Sequence, residues 1–139
     1  MPKREKPLVR PLSPYMQYVN VQSLHTMGLS ILHRITGVAL TVGSILLVYW
    51  LIAAASGPAA YEQAQSIFNL AVVKVALVGW VFSFCYHFLN GIRHLVWDTG
   101  RGFDLPVARK SGYSAVVGAI LMTIIVSVLF FTRTHGVGL

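Results

Sequence analysis

The chain has 139 residues, of which 55% are hydrophobic and only 11% charged, and this excludes an ordinary soluble domain because such a domain exposes far more charge. Its formal net charge of +7 comes from 11 lysines and arginines against 4 acidic residues, and since these bases flank apolar segments we expect a membrane protein with no nucleic-acid partner. Cys85 is the only cysteine, which excludes an internal disulfide and a zinc or iron–sulfur site built from this chain's own thiols.

Residues 1–23 predict an N-terminal arm on the inner side of the membrane. Within it, the stretch Arg10–Pro14 contains two prolines and cannot form regular helix, because proline fixes φ and lacks an N–H donor. We therefore expect the arm to lie along the membrane surface or against a partner.

Three apolar segments follow the arm, each with the length of about 20 residues that a helix needs to cross a bilayer. They predict an all-α membrane protein with three transmembrane helices. The predicted boundaries, in chain order, are helix 1 over 24–56, an outer loop over 57–66, helix 2 over 67–97, an inner loop over 98–110, helix 3 over 111–132 and an outer tail over 133–139.

The distribution of positive charge predicts the orientation of these helices. Lysines and arginines concentrate in the arm and in the connection between helices 2 and 3, whereas the stretch 57–66 contains none. Because positively charged segments stay inside, we expect the N-terminus inside and the C-terminus outside. The arm shows no transit-like leader, which favours the bacterial inner membrane over the mitochondrial one.

His87 lies in the apolar stretch of helix 2 that runs from Trp80 to Leu89. An imidazole in lipid finds no water and needs a partner, and a metal is the partner that imidazole serves best. The residues alone leave three interpretations open: a haem ligand, a hydrogen bond to a neighbouring helix, or a step in a proton relay.

Helical spacing groups polar residues on two faces. One face of helix 1 carries Ser30, His33, Arg34 and Gly37. One face of helix 2 carries His87, Gly91, His94 and Asp98. The glycines either leave room for a flat ring or allow close helix packing.

The depth of His87 suits a haem. Arg93 marks the inner boundary of helix 2, so His87 lies about 9 Å deeper in the membrane. A haem iron at that depth would be in hydrocarbon, with its propionates at the inner boundary. The candidate propionate contacts there are His33, Arg34, Arg93 and His94. For His94, solvation at the interface is an equally open alternative.

Ser30 and Arg34 form a second candidate site, one helical turn apart at the inner boundary. A hydroxyl and a guanidinium can bond the two carbonyl oxygens of a quinone while its isoprenoid tail lies in lipid. The alternative is that Ser30 bonds its own backbone and Arg34 meets a lipid phosphate.

Three segments of the chain, by their order and spacing, resemble the cytochrome b large membrane-anchor subunits of succinate dehydrogenase, respiratory complex II. The segments are Arg10–Pro14, Ser30–Gly37 and His87–Asp98. The resemblance covers nearly the whole chain. One departure is Tyr15, where mitochondrial relatives often have histidine.

The resemblance implies specific roles. His87 would be one axial ligand of a haem b shared with a small membrane-anchor subunit, whose histidine supplies the other ligand. Ser30 and Arg34 would help bind ubiquinone, and His33 and His94 would lie near the propionates. The other partners would be a flavoprotein that oxidises succinate and an iron–sulfur subunit that passes electrons to the quinone. This chain would contain no succinate site.

Two other functions stay open at this point. One is a structural anchor without a cofactor of its own. The other is the equivalent subunit of a fumarate reductase, in which electrons run from quinol to fumarate.

Overall fold

The computed structural model describes the backbone of residues 21–136 and the side chains of residues 28–133. This part of the chain is helical and contains no strand. Its helices are α1 (Val21–Ser56), α2 (Pro58–Phe68), α3 (Ala71–Asp98) and α4 (Leu105–Gly136). The first twenty residues, with the Arg10–Pro14 stretch and Tyr15, lie outside the described residues, and what the sequence predicts of them stays a prediction.

Three of the helices are long and apolar enough to cross a membrane. The candidate spans are Gly28–Ser56 in α1, Ala71–Asp98 in α3 and Leu105–Arg133 in α4. The prediction of an all-α protein with three transmembrane helices is thereby confirmed. Most of the large apolar side chains on these spans are exposed, and a continuous apolar surface of this kind is stable only against lipid or other membrane helices.

The connection after α1 differs from the predicted outer loop over 57–66, because it forms the helix α2. Gly57 has a φ of 113°, a left-handed value that glycine adopts readily and that ends α1 at Ser56. Pro58 then occupies the first turn of α2, where its missing N–H costs nothing and its fixed φ favours a helix. Ala64 of α2 is buried, and Tyr61 of α2 packs edge-to-face against Trp50 of α1.

The connection between α3 and α4 is shorter than the predicted inner loop over 98–110. Gly100 and Gly102 turn the chain with φ values of 78° and 80°. Trp97 closes the turn by donating a hydrogen bond from Nε1 to the Gly102 carbonyl at 3.0 Å. The helix α4 then starts at Leu105, since Pro106 is compatible with a first helical turn and need not mark a loop.

α3 packs against both α1 and α4. The small core of buried side chains comprises Cys85 and Tyr86 of α3 and Ala119 of α4. The Tyr86 hydroxyl donates a hydrogen bond to the Leu29 carbonyl of α1 at 2.9 Å, so its polar atom is satisfied within the core. This contact joins α1 to α3 beside the polar residues described below.

Trp80 and Gly43 set a second close contact between α1 and α3. The indole of Trp80 occupies the space that a Cβ on Gly43 would need, and its Nε1 donates to the Leu40 carbonyl at 3.4 Å. Small residues allow this kind of close approach between membrane helices.

We predict that Gly43→Ala destabilises the protein, because the added methyl group overlaps the Trp80 ring and forces it or α1 to move. Overpacking of this kind costs about 1–3 kcal/mol in free energy of unfolding. Denaturation of the purified protein in mixed micelles measures the loss. Gly79→Ala is the matched control, since nothing lies within 4 Å of a Cβ at that position. Equal stability of the two variants would contradict the prediction.

Candidate functional site

Three histidines predicted from the sequence lie together between α1 and α3. The rings of His33 and His87 stack with centroids 3.9 Å apart and an angle of 12° between their planes. His94 lies 5.3 Å from His33, centroid to centroid, and packs edge-to-face on Trp97 at 5.1 Å. All three histidines are half-buried. We refer to them as the histidine cluster.

The surroundings of His87 determine which ring nitrogen carries the proton. Its Nδ1 lies 3.2 Å from the His33 carbonyl and 3.4 Å from Oγ1 of Thr36. The Thr36 hydroxyl donates its own hydrogen to the same carbonyl at 2.9 Å, so its oxygen presents a lone pair to the ring. Because a carbonyl can only accept, we assign the proton to Nδ1. The lone pair of Nε2 is then available.

Gly37 makes room for His87 itself. A Cβ on Gly37 would lie 3.2 Å from Cε1 of His87, which is closer than ordinary van der Waals contact. A Cβ on Gly91 would meet nothing within 4 Å. The sequence left open whether these glycines pack helices or leave room for a flat ring. At Gly37, the His87 ring occupies the space beside the glycine.

The histidine cluster could supply a nitrogen ligand to a haem. Within the described part of the chain, no group of three or more His, Cys, Asp and Glu side chains could hold a metal ion. A haem needs only an axial nitrogen, and His87 offers Nε2. Nδ1 of His33 is buried and without a hydrogen-bond partner, so it can bond a polar group brought by a ligand.

Ser30 and Arg34 lie on α1 next to the histidine cluster and are both exposed. No hydrogen bond or ion pair joins Arg34 to another described residue. One helical turn separates the two side chains, so a hydroxyl and a guanidinium are available side by side at this end of the bundle. Asp98, the last residue of α3, is exposed as well.

Arg93 does not contact the histidine cluster, and the contact with a propionate predicted for it stays a prediction. Its guanidinium donates to Ser111 Oγ at 2.9 Å, to the Ala108 carbonyl at 2.9 Å and to Asn90 Oδ1 at 3.3 Å. It also lies over the Trp97 ring, 4.0 Å from the centroid. Only 9% of Arg93 is exposed, and its contacts tie α3 to α4.

Helix geometry explains why Arg93 and His94 point in different directions. At about 100° per residue, His94 lies about 20° from His87 around the helix axis, whereas Arg93 lies about 120° away. The spacing of six residues between His87 and Arg93 therefore already indicated, from the sequence, that the two side chains lie on different faces of the helix.

A cavity that is partly open to the surface lies on the Arg93 side of α3. It has a volume of about 230 Å³, and no histidine lines it. Its walls come from α3 and α4 and include Leu89, Val96, Val107 and Ser114. The cavity is therefore separate from the histidine cluster.

Thr36 and Asn90 are buried polar residues that contact His87 and Arg93, respectively, and neither was predicted from the sequence. Thr36 is 2% exposed and contacts His87, and Asn90 is 1% exposed with its Nδ2 unpaired. The position of Thr36, three residues after His33, was the available signal, since that spacing puts both on one helix face. No spacing pattern identified Asn90.

Comparisons with known proteins agree with one another. Residues 6–126 match the family described as the succinate dehydrogenase/fumarate reductase transmembrane subunit. The succinate dehydrogenase cytochrome b556 subunit of Rickettsia prowazekii is 40% identical over 117 residues, which cover 84% of this chain and 89% of the relative.

Two further relatives show the range of organisms. The cytochrome b556 subunit of Paracoccus denitrificans is 34% identical over 88% of this chain and 92% of its own length. The mitochondrial cytochrome b560 subunit of Bos taurus is 36% identical over 84% of this chain and 69% of its own length.

We predict that Arg93→Leu destabilises the protein, because Asn90 Oδ1 loses its donor and the Ala108 carbonyl and Ser111 Oγ each lose one hydrogen bond inside the bundle. The expected loss is about 2–3 kcal/mol in free energy of unfolding, as for other hydrogen bonds made by a charged group. The measurement is unfolding in mixed micelles. Arg101→Leu, at an exposed arginine of the α3–α4 connection, is the matched control and should change stability by less than about 0.5 kcal/mol. A similar small change in both variants would count against the bridging role.

Proposed function

The chain belongs to the family of succinate dehydrogenase/fumarate reductase transmembrane subunits, and we propose that it is the cytochrome b membrane anchor of a succinate:ubiquinone oxidoreductase. The relatives named above are all cytochrome b subunits of succinate dehydrogenase, which favours succinate oxidation over fumarate reduction. The observation that carries the proposal in this chain is His87, whose Nδ1 bonds to α1 while its Nε2 has no hydrogen-bond partner among the described residues.

We infer that Nε2 of His87 is one axial ligand of a haem b. A ligating histidine usually donates its other N–H to an oxygen, which fixes the ring and the tautomer, and the His33 carbonyl fills that role for His87. The second ligand would be a histidine of a small anchor subunit, as the family resemblance implies. A bound haem supplies one-electron redox chemistry.

Propionate contacts are proposed for His33, His94 and Arg34. Nδ1 of His33 supports its part, since it is buried with no hydrogen-bond partner among the described residues and, in the tautomer that is protonated there, could donate to a carboxylate. His94 lies beside His33. Arg93 is left out of this set, because its guanidinium already bonds to α4 and Asn90.

Ubiquinone binding is proposed for Ser30 and Arg34. Both side chains are exposed on α1, so a quinone head could accept hydrogen bonds from them while its tail remains in lipid. The rest of the pocket would come from the neighbouring subunits. This chain would orient and bind the quinone, and the electrons would reach it from succinate by way of flavin and iron–sulfur clusters.

The partners we propose are a flavoprotein subunit, an iron–sulfur subunit and the small anchor subunit. The exposed apolar faces of α1, α3 and α4 would pack against the small anchor and membrane lipid. The positive charge in the arm and in the α3–α4 connection supports an inner location for both and for the soluble subunits. We propose the bacterial inner membrane, in keeping with the Rickettsia and Paracoccus relatives.

Ligation by His87 predicts that His87→Ala abolishes the b-type haem signal of the assembled complex, because the haem would lose the nitrogen ligand that this chain supplies. The measurement is the α-band in the dithionite-reduced spectrum, together with quantification of the co-purifying subunits. His94→Ala is the control and should keep the band, since its proposed contact is with a propionate. An unchanged band in His87→Ala would remove His87 from this role.

For the quinone site, Arg34→Ala should lower the rate of ubiquinone reduction by about tenfold or more, since a charged hydrogen bond contributes about 1.5–3 kcal/mol. Succinate oxidation with a soluble artificial acceptor should be unchanged. Arg133→Ala, at an exposed arginine near the far end of α4, serves as the matched control and should keep both rates. Parallel loss of both activities in Arg34→Ala would point to failed assembly instead of a lost quinone contact.

A further inference from the structure

We propose that Thr36 is a positioning residue for His87, and that its hydroxyl tunes the electron-donating strength of the imidazole. This inference rests on the proposed ligation of haem by His87. It assigns a function to a residue that touches neither the iron nor the quinone in that scheme.

The Thr36 hydroxyl contacts both α1 and α3. Its hydroxyl donates to the His33 carbonyl at 2.9 Å, one turn back on α1. Its oxygen then faces Nδ1 of His87 on α3 at 3.4 Å. The imidazole N–H therefore has two oxygen acceptors on α1, the carbonyl at 3.2 Å and this hydroxyl.

The burial of Thr36 indicates that this hydroxyl is part of a built site. Thr36 is 2% exposed, in a helix whose neighbouring side chains are largely exposed. A buried hydroxyl in a membrane helix needs partners, and threonine can satisfy itself by bonding to its own helix. Thr41 does only that, with a hydrogen bond to the Gly37 carbonyl at 3.1 Å, and it is exposed.

The ring of His87 is confined from two further directions. His33 stacks on one ring face with centroids 3.9 Å apart. Gly37 meets its Cε1 edge with no side chain to push the ring away. Thr36 completes this arrangement by bonding the nitrogen opposite to the proposed iron ligand.

Hydrogen bonding at Nδ1 has a definite electronic consequence. Acceptors on this N–H make the imidazole a stronger donor through Nε2, and a stronger donor favours ferric over ferrous iron. Removing the Thr36 oxygen should therefore favour the ferrous form and raise the midpoint potential of the haem.

The test is an optical redox titration of haem b in the intact complex, with the low-spin EPR spectrum of the oxidised form recorded on the same samples. Thr36→Val replaces the hydroxyl by a methyl group of similar size. Thr36→Ser keeps the hydroxyl, and Thr41→Val removes the hydroxyl that bonds only to its own helix. We expect a higher midpoint potential and a shifted largest g-value in Thr36→Val, and parental values in Thr36→Ser and Thr41→Val.

Several results would overturn the inference. An unchanged or lowered midpoint potential in Thr36→Val would overturn it. A raised midpoint potential in Thr36→Ser or Thr41→Val, equal to that in Thr36→Val, would also overturn it. If Thr36→Val prevents assembly, Thr36→Ala removes the same hydroxyl without placing a methyl group against Nδ1, and it should raise the potential in the same way. A parental potential in Thr36→Ala would equally refute the role.

His87→Ala, measured in the same preparation, separates this inference from the proposed function. Loss of the haem signal there with parental behaviour of Thr36→Val would leave ligation standing and reject only the role of Thr36. A retained haem signal in His87→Ala would reject ligation itself.

Discussion

An imidazole between two membrane helices must find hydrogen-bond acceptors in protein, and this requirement ties α1 to α3. The acceptor for His87 is a main-chain carbonyl of His33, with the Thr36 hydroxyl beside it. Side-chain access to a helix carbonyl needs a close approach of the two backbones. Gly37 and Gly43 permit it, since the rings of His87 and Trp80 occupy the space beside them. The geometry of the histidine cluster therefore depends on the small residues of α1.

α3 carries two different polar surfaces. One, with His87 and His94, faces α1 and supplies the candidate ligand. The other, with Asn90 and Arg93, faces α4 and is closed by hydrogen bonds to Ser111 and the Ala108 carbonyl. A charge that bonds fully within the protein costs less in lipid than one left free. Arg93 therefore joins α3 to α4 without using the side chains of His87 and His94.

The exposed parts of the bundle agree with a chain that works as one subunit among several. Its long helices present apolar side chains outward along most of their length. Ser30 and Arg34 stand exposed beside the histidine cluster, and Nδ1 of His33 is buried without a partner. Exposed polar side chains, and a buried nitrogen with no partner among the described residues, are suited to ligands and neighbours that come from outside the chain.

The sequence by itself determined the fold class and the family. The length of its three apolar segments specifies three membrane-spanning helices. The segments Ser30–Gly37 and His87–Asp98 carry the family resemblance, which the comparisons confirmed. The helical angle between His87 and Arg93 was also readable in advance. Only the tertiary structure decided that the His87 ring packs beside Gly37 and that the Thr36 hydroxyl contacts Nδ1 of His87. The reason is physical: periodicity specifies which face a residue occupies, whereas the partner it meets depends on how closely and at what height two helices pack.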